Sequence, residues 1–162
     1  MSTLSAIRQQ AVSTHRVVNL NTDGVSHAQS LIAPKPAGNS ANWVLGHLLC
    51  IYNDVLGLLG AAPVMEREAL KPYARGSAPL AEKDALPLDS LVDGWNRACA
   101  EFDAALASIP EARLAESVPN SPTNNPDETV GSLLVTVMFH QAYHAGQLGL
   151  LRRVAGHSGA IA

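Results

Sequence analysis

Apolar residues recur at steps of three and four along most of the chain, and runs that alternate apolar with polar are absent. That is the period of a helix with one face turned to a core, not of a half-buried strand. The clearest stripe is Leu88, Leu91, Trp95, Cys99, Phe102, Leu106 and Ile109, entered by Pro87 and closed by Pro110. Proline suits the entry to a helix and blocks its continuation. A second stripe takes in Trp43, Val44, His47, Leu48, Ile51, Val55, Leu58 and Leu59 and stops over 60–63. Ser40 or Asn39 can cap its free amides. A third begins at 127–129 and carries Val130, Leu133, Val137, His140, His144, Gln147 or Leu148, and Leu151. Arg152 and Arg153 suit the negative end of its dipole, and Gly156 its C-terminal cap. An N-terminal stripe of Leu4, Ile7, Ala11, Thr14 and Val18 has Ser2 or Thr3 as cap and ends at Asp23-Gly24.

The connections are long. Residues 21–39 join the first two helices, 61–87 join the next two and carry four prolines, and 110–126 carry four more. Loops of this length commonly wall a site or hold short ordered pieces. No internal repeat and no low-complexity tract interrupts the pattern. The prediction is an all-α fold, a four-helix bundle with long crossover loops, in one domain over residues 1–162.

Composition narrows the class. Of the 162 residues 47% are apolar and only 15% charged, against a usual charged share of roughly 25%. That much apolar surface can offset the conformational entropy of folding, which excludes disorder. A net charge of -3 carries no basic excess for nucleic acid or an anionic membrane. Cys50 and Cys99 are too few for a disulfide scaffold. Residues 1–10 lack the apolar core of a signal peptide, and the most apolar stretch, 43–65, is broken by His47, Asn53, Asp54 and Pro63. The expectation is a small cytoplasmic protein with neither a nucleic-acid nor a membrane partner.

Three histidines bring in chemistry. His140 and His144 are four apart on one helix, so their imidazoles stand one above the other and can meet one ion. Both lie on the core stripe, as His47 does on the second helix. A buried polar group without a partner costs roughly 1–3 kcal/mol. Either each ring is a core histidine bonded to a backbone carbonyl, or one divalent ion satisfies all three. Two histidines from one helix and a third from another, with a position left open, is the pattern of catalytic zinc sites. Such an ion turns a bound water into hydroxide or a bound thiol into thiolate. Among neighbouring residues, Gln147 either orients a ligand or caps the polar pocket, and Asp54 is a candidate base or an exposed helix carboxylate. Cys50 is a fourth ligand or an inert buried thiol, and Cys99 follows the same logic. Trp43 lines pocket or core, and Tyr143 projects away around the helix. His15, His27 and His157 read as surface residues.

Asn42-Trp43-Val44-Leu45-Gly46-His47-Leu48 resembles the second-helix signature of the DinB-like (damage-inducible, YfiT-like) superfamily of metal-binding helical bundles. Phe139-His140-Gln141-Ala142-Tyr143-His144-Ala145-Gly146-Gln147-Leu148, running on to Arg152-Arg153, resembles its last-helix signature. Segment 34–40 and the run Asp127-Glu128-Thr129-Val130-Gly131-Ser132-Leu133-Leu134 are similar as well. The resemblance implies a bundle in up-up-down-down order, usually a homodimer, with a divalent metal on His47, His140 and His144. Zinc or nickel comes first, with manganese, iron or magnesium as further options. It implies a small-molecule substrate and, in some relatives, a low-molecular-weight thiol used by an S-transferase; others are hydrolases or have no known reaction. Gln147 and Asp54 are the candidate catalytic groups, and Arg152 or Arg153 a candidate contact for a charged thiol. Leu45, Leu49, Leu134 and Met138, off the main stripes, are expected either at a dimer interface or against the first helix or a loop.

Overall fold

A computed structural model describes residues 2–119 and 121–161. Four long helices form the bundle: α1 (Thr3–Thr22), α3 (Ala41–Leu58), α5 (Leu88–Ser108) and α6 (Val130–Val154). Their ends follow the capping chemistry. The Ser2, Ser40 and Thr129 side chains accept from the backbone N–H groups of Ser5, Trp43 and Ser132, filling amides that the first turn leaves free. Gly156 takes φ +90° just after α6, a conformation that glycine adopts without strain.

Neighbouring helices pack α1 on α5, α5 on α3, α3 on α6 and α6 on α1. Arg8 pairs with Asp103 and Asn19 with Asn96, so α1 and α5 run opposite ways. Leu49 meets Gly94 while Tyr52 meets Phe102, which makes α3 and α5 parallel. His47 faces His140 and His144 while Val55 and Leu58 share a hollow with Leu133 and Val137, so α3 and α6 are antiparallel. The order is up-down-down-up, which corrects the up-up-down-down order that the resemblance implied: α1 and α3 run opposite ways, and it is α3 and α5 that are parallel. It explains the longest connection, because a chain that leaves α3 to start a parallel α5 must return the length of the bundle.

That connection is not featureless. It holds a four-residue helix, α4 (Arg67–Leu70), and 3₁₀ turns at Lys71–Tyr73 and Glu82–Asp84; another four-residue helix, α2 (His27–Ser30), lies in the first connection. A further 3₁₀ turn, Glu111–Ala115, packs beside α6. One core runs through the bundle, with Trp95, Tyr52, Tyr73 and Phe102 among its largest fully buried side chains. Leu45, Leu49, Leu134 and Met138 are fully buried in that core, so they pack within the protomer and are not available to a second copy. Among the described residues no helix is long and apolar enough to cross a membrane.

Candidate metal centre

Four residues of the run 42–47, Asn42, Trp43, Gly46 and His47, have separate tasks. Asn42 Nδ2 donates to the Leu86 carbonyl at 3.0 Å, and its Oδ1 accepts from the Tyr73 hydroxyl at 3.0 Å. That hydroxyl in turn accepts from the Leu86 amide at 2.7 Å. The long connection is thereby fastened to the start of α3. Gly46 lets the Tyr73 ring lie on the helix backbone, where a Cβ would stand 2.2 Å from the ring. Tyr73 then presents its carbonyl to His47, whose Nδ1–H donates to it at 2.9 Å. Trp43 stacks on the His47 ring with centroids 4.8 Å apart and planes 11° apart, and its indole N–H donates to Ser77 Oγ at 3.1 Å.

On α6, His144 Nδ1–H donates to Gln147 Oε1 at 2.6 Å, and the Gln147 amide donates to the Tyr143 hydroxyl at 3.3 Å. With a proton fixed on each Nδ1, the Nε2 atoms of His47 and His144 carry lone pairs. Both point at His140 Nε2, 3.2 Å and 3.1 Å away. His140 has one Nε2 and cannot donate to both neighbours at once, and its buried Nδ1 has no partner among the described residues. Three ring nitrogens gathered this closely, two of them bearing lone pairs, fit a cation. The three ligand atoms lie within 4.8 Å of one another, close enough to hold one metal ion. Burial pushes all three histidines below their ordinary pKa, His140 to about 4, with the neighbouring rings and Arg75 adding to the shift at His140. They are therefore neutral at pH 7, the form that binds metal.

The other sequence candidates sort themselves by position. Gln147 orients His144. Asp54 lies at the rim of the adjoining cavity, with its carboxylate held by Arg67 at 2.7 Å. Cys50 lines the cavity too, but its thiol donates to the Leu70 carbonyl at 3.4 Å and burial raises its pKa to about 11. It does not join the group of three. Cys99 is a free, half-buried thiol that burial likewise keeps protonated. Arg152 reaches back to the backbone carbonyls of Asn21 and Ser158, and Arg153 packs near Gly159, so neither lines the cavity. The cation that does is Arg75, which the sequence did not single out. His27 Nδ1 accepts from the Leu88 amide, and His157 Nε2 bonds Gln29 Oε1. His15 is not a surface residue: its Nε2 lies 2.6 Å from the Tyr52 hydroxyl and its ring meets Trp95 edge-on.

The sequence matches the DinB superfamily over residues 8–148. The chain belongs to that superfamily. A crystal structure of a conserved protein from Enterococcus faecalis is similar at a TM-score of 0.74 and 18% identity, covering 96% of this chain and 98% of that one. At that identity the likeness speaks for the DinB fold alone. No curated protein matches the chain.

Proposed function

We propose that this DinB superfamily protein is a metal-dependent enzyme in which His47, His140 and His144 hold one divalent ion. The preferred reaction is transfer of a low-molecular-weight thiol to a small electrophile. One observation carries the reading: three side chains converge with no fourth His, Cys, Asp or Glu joining them among the described residues, and a cavity of about 610 Å³ opens beside them. A closed structural site would have its fourth ligand from the protein; a catalytic one leaves a position for substrate. Three neutral imidazoles suit zinc or nickel. When bound there, such an ion lowers the pKa of a thiol or water that reaches it and so supplies a nucleophile at neutral pH.

The chain's own residues do the rest. The Tyr73 carbonyl and Gln147 fix the His47 and His144 tautomers and ring directions, the outer-shell role that tunes a metal site. Arg75 places positive charge at the cavity for an anionic group. Ile51, Leu133 and Val137 make the wall next to the histidines apolar. A hydrolase built on the same ion is the second reading. It is favoured by that aliphatic wall, which offers few partners to a hydroxyl-rich thiol.

The test is elemental analysis of protein purified without a metal-affinity tag, beside His140→Ala. About one divalent ion per chain, lost in the variant, is expected, followed by turnover when thiols and model electrophiles are supplied. No metal in either protein after reconstitution would make the histidines structural.

A further inference from the structure

The cavity does not end at the histidines. A second hollow of about 240 Å³ is walled by Val55, Leu58 and Val118, and it shares Ile51, Asp54, Leu133, Val137 and Pro122 with the first. The two form one trough between α3 and α6. From His47 to Leu58 the helix rise makes it about 16 Å long. Its polarity is graded. At the upper end stand the three imidazoles and Arg75, which takes part in no ion pair among the described residues. Toward the lower end the lining is aliphatic but for Asp54, which lines both hollows and whose carboxylate pairs with Arg67 at 2.7 Å.

The roof over the lower end is built rather than loose. Val118 and Pro122 belong to the connection into α6, and the Val118 amide donates to the Glu128 carbonyl at 2.9 Å. The Glu128 carboxylate, 3% exposed, accepts from the hydroxyls of Ser121, Thr123 and Ser132. A fastened aliphatic trough leading away from a charged end has the shape of a ligand with a head and a tail.

We propose that this site takes an amphipathic monoanion, its carboxylate-like head at the histidine–Arg75 end and an unbranched alkyl tail along the trough between α3 and α6. The head rests on the metal reading given above; the tail rests on the trough alone. A ligand bearing hydroxyls along its length would lose its hydrogen bonds to water against Val55, Leu58 and Val118 and find no replacements there.

The probes are butanoate, hexanoate, octanoate and decanoate, titrated calorimetrically into the full chain loaded with zinc, with metal content measured on the same sample. Affinity is expected to rise about fourfold with each methylene that enters the trough. Arg75→Ala weakens every member by a common factor and leaves the dependence on length intact. Val118→Trp fills the far end, so decanoate loses its gain while butanoate keeps its affinity, a cut-off that general damage to the fold would not produce. The same series on zinc-free protein separates the two readings. A length dependence that persists without metal supports the trough whatever becomes of the ion. Affinity that does not change with length in either form overturns the proposal, even where one zinc per chain is bound.

Discussion

A methyl group added at Gly46 would stand 2.2 Å from the Tyr73 ring, and Tyr73 is fully buried, so the ring cannot simply swing away. Gly46→Ala must move the connection that carries Tyr73, and with it the carbonyl that holds His47. Overpacking of this kind costs about 1–3 kcal/mol, and loss of an outer-shell partner commonly weakens metal binding about 10–100-fold. Thermal unfolding and a zinc titration of Gly46→Ala should show both effects. A variant with a lowered melting temperature but unchanged zinc affinity would mean that the Tyr73 carbonyl does not position His47. Acid acts on the same atoms. Protons and metal compete for each Nε2, and burial lowers the pKa of His47, His140 and His144, His140 to about 4. Cobalt or zinc should therefore stay bound as pH falls past the ordinary histidine value of about 6.5 and be released on approach to pH 4. Retention unchanged below that point, measured after equilibrium dialysis, would count against three imidazole ligands.

Between elements, the bundle interior is crossed by a chain of polar side chains. The Gln141 amide on α6 donates to the Tyr52 hydroxyl on α3, which leaves that hydroxyl's own proton for His15 Nε2 on α1. His15 is thereby held neutral, and burial lowers its pKa to about 4. In the unfolded chain it titrates near 6.5. Above 6.5 both states are neutral and the contribution is whole; as pH falls from 6.5 to 4 the unfolded state takes up the proton first, so stability drops. The loss is about 3 kcal/mol at full extent. The cluster histidines shift the same way, so the readout is a difference. Urea unfolding of metal-free protein at pH 7 and pH 4.5 should show a smaller fall for His15→Gln than for the parent. Equal falls would show that His15 is not the buried neutral group. Sequence spacing made the four long helices legible because each repeats its apolar positions over several turns, and it placed His47, His140 and His144 on core faces for the same reason. It could not show α2, α4 or the 3₁₀ turns, since three to five residues are too few to display a period. His15 escaped because Thr14 beside it already filled the stripe, although Ala11, His15 and Val18 keep helical spacing too. Arg75 and the Tyr73 carbonyl lie in the 61–87 connection and reach the site only through tertiary contacts with Asn42 and Gly46, which no local pattern reveals.

On the whole molecule, α6 is apolar on both sides. One face enters the core; the other exposes Val135, Phe139, Tyr143, Leu150 and Val154, with Phe139 69% exposed. A helix apolar all round normally has its second face covered. A second copy of this chain is the proposed cover. Its one charge is Arg153, exposed beside Leu150 at one end, and Ala142 and Gly146 lie exposed near its middle, Gly146 with nothing within 4 Å of where a Cβ would stand. Two such helices can approach closely there about a two-fold axis, so that the Val135 end of one meets the Leu150 end of the other and the same patch covers itself. Leu45, Leu49, Leu134 and Met138 play no part, being buried within the protomer. Tyr143 lies on this face and receives the Gln147 amide that adjoins His144, so pairing would fix the outer end of the chain that orients a metal ligand. Sedimentation velocity at micromolar concentration should show a dimer, and Phe139→Glu, which places two like charges near the axis, should give a monomer that keeps its helical content. The dimer should also hold zinc more tightly than the Phe139→Glu monomer. A parent chain that sediments as a monomer would leave the outer face of α6 uncovered by its own kind and remove the second copy from the account of the site.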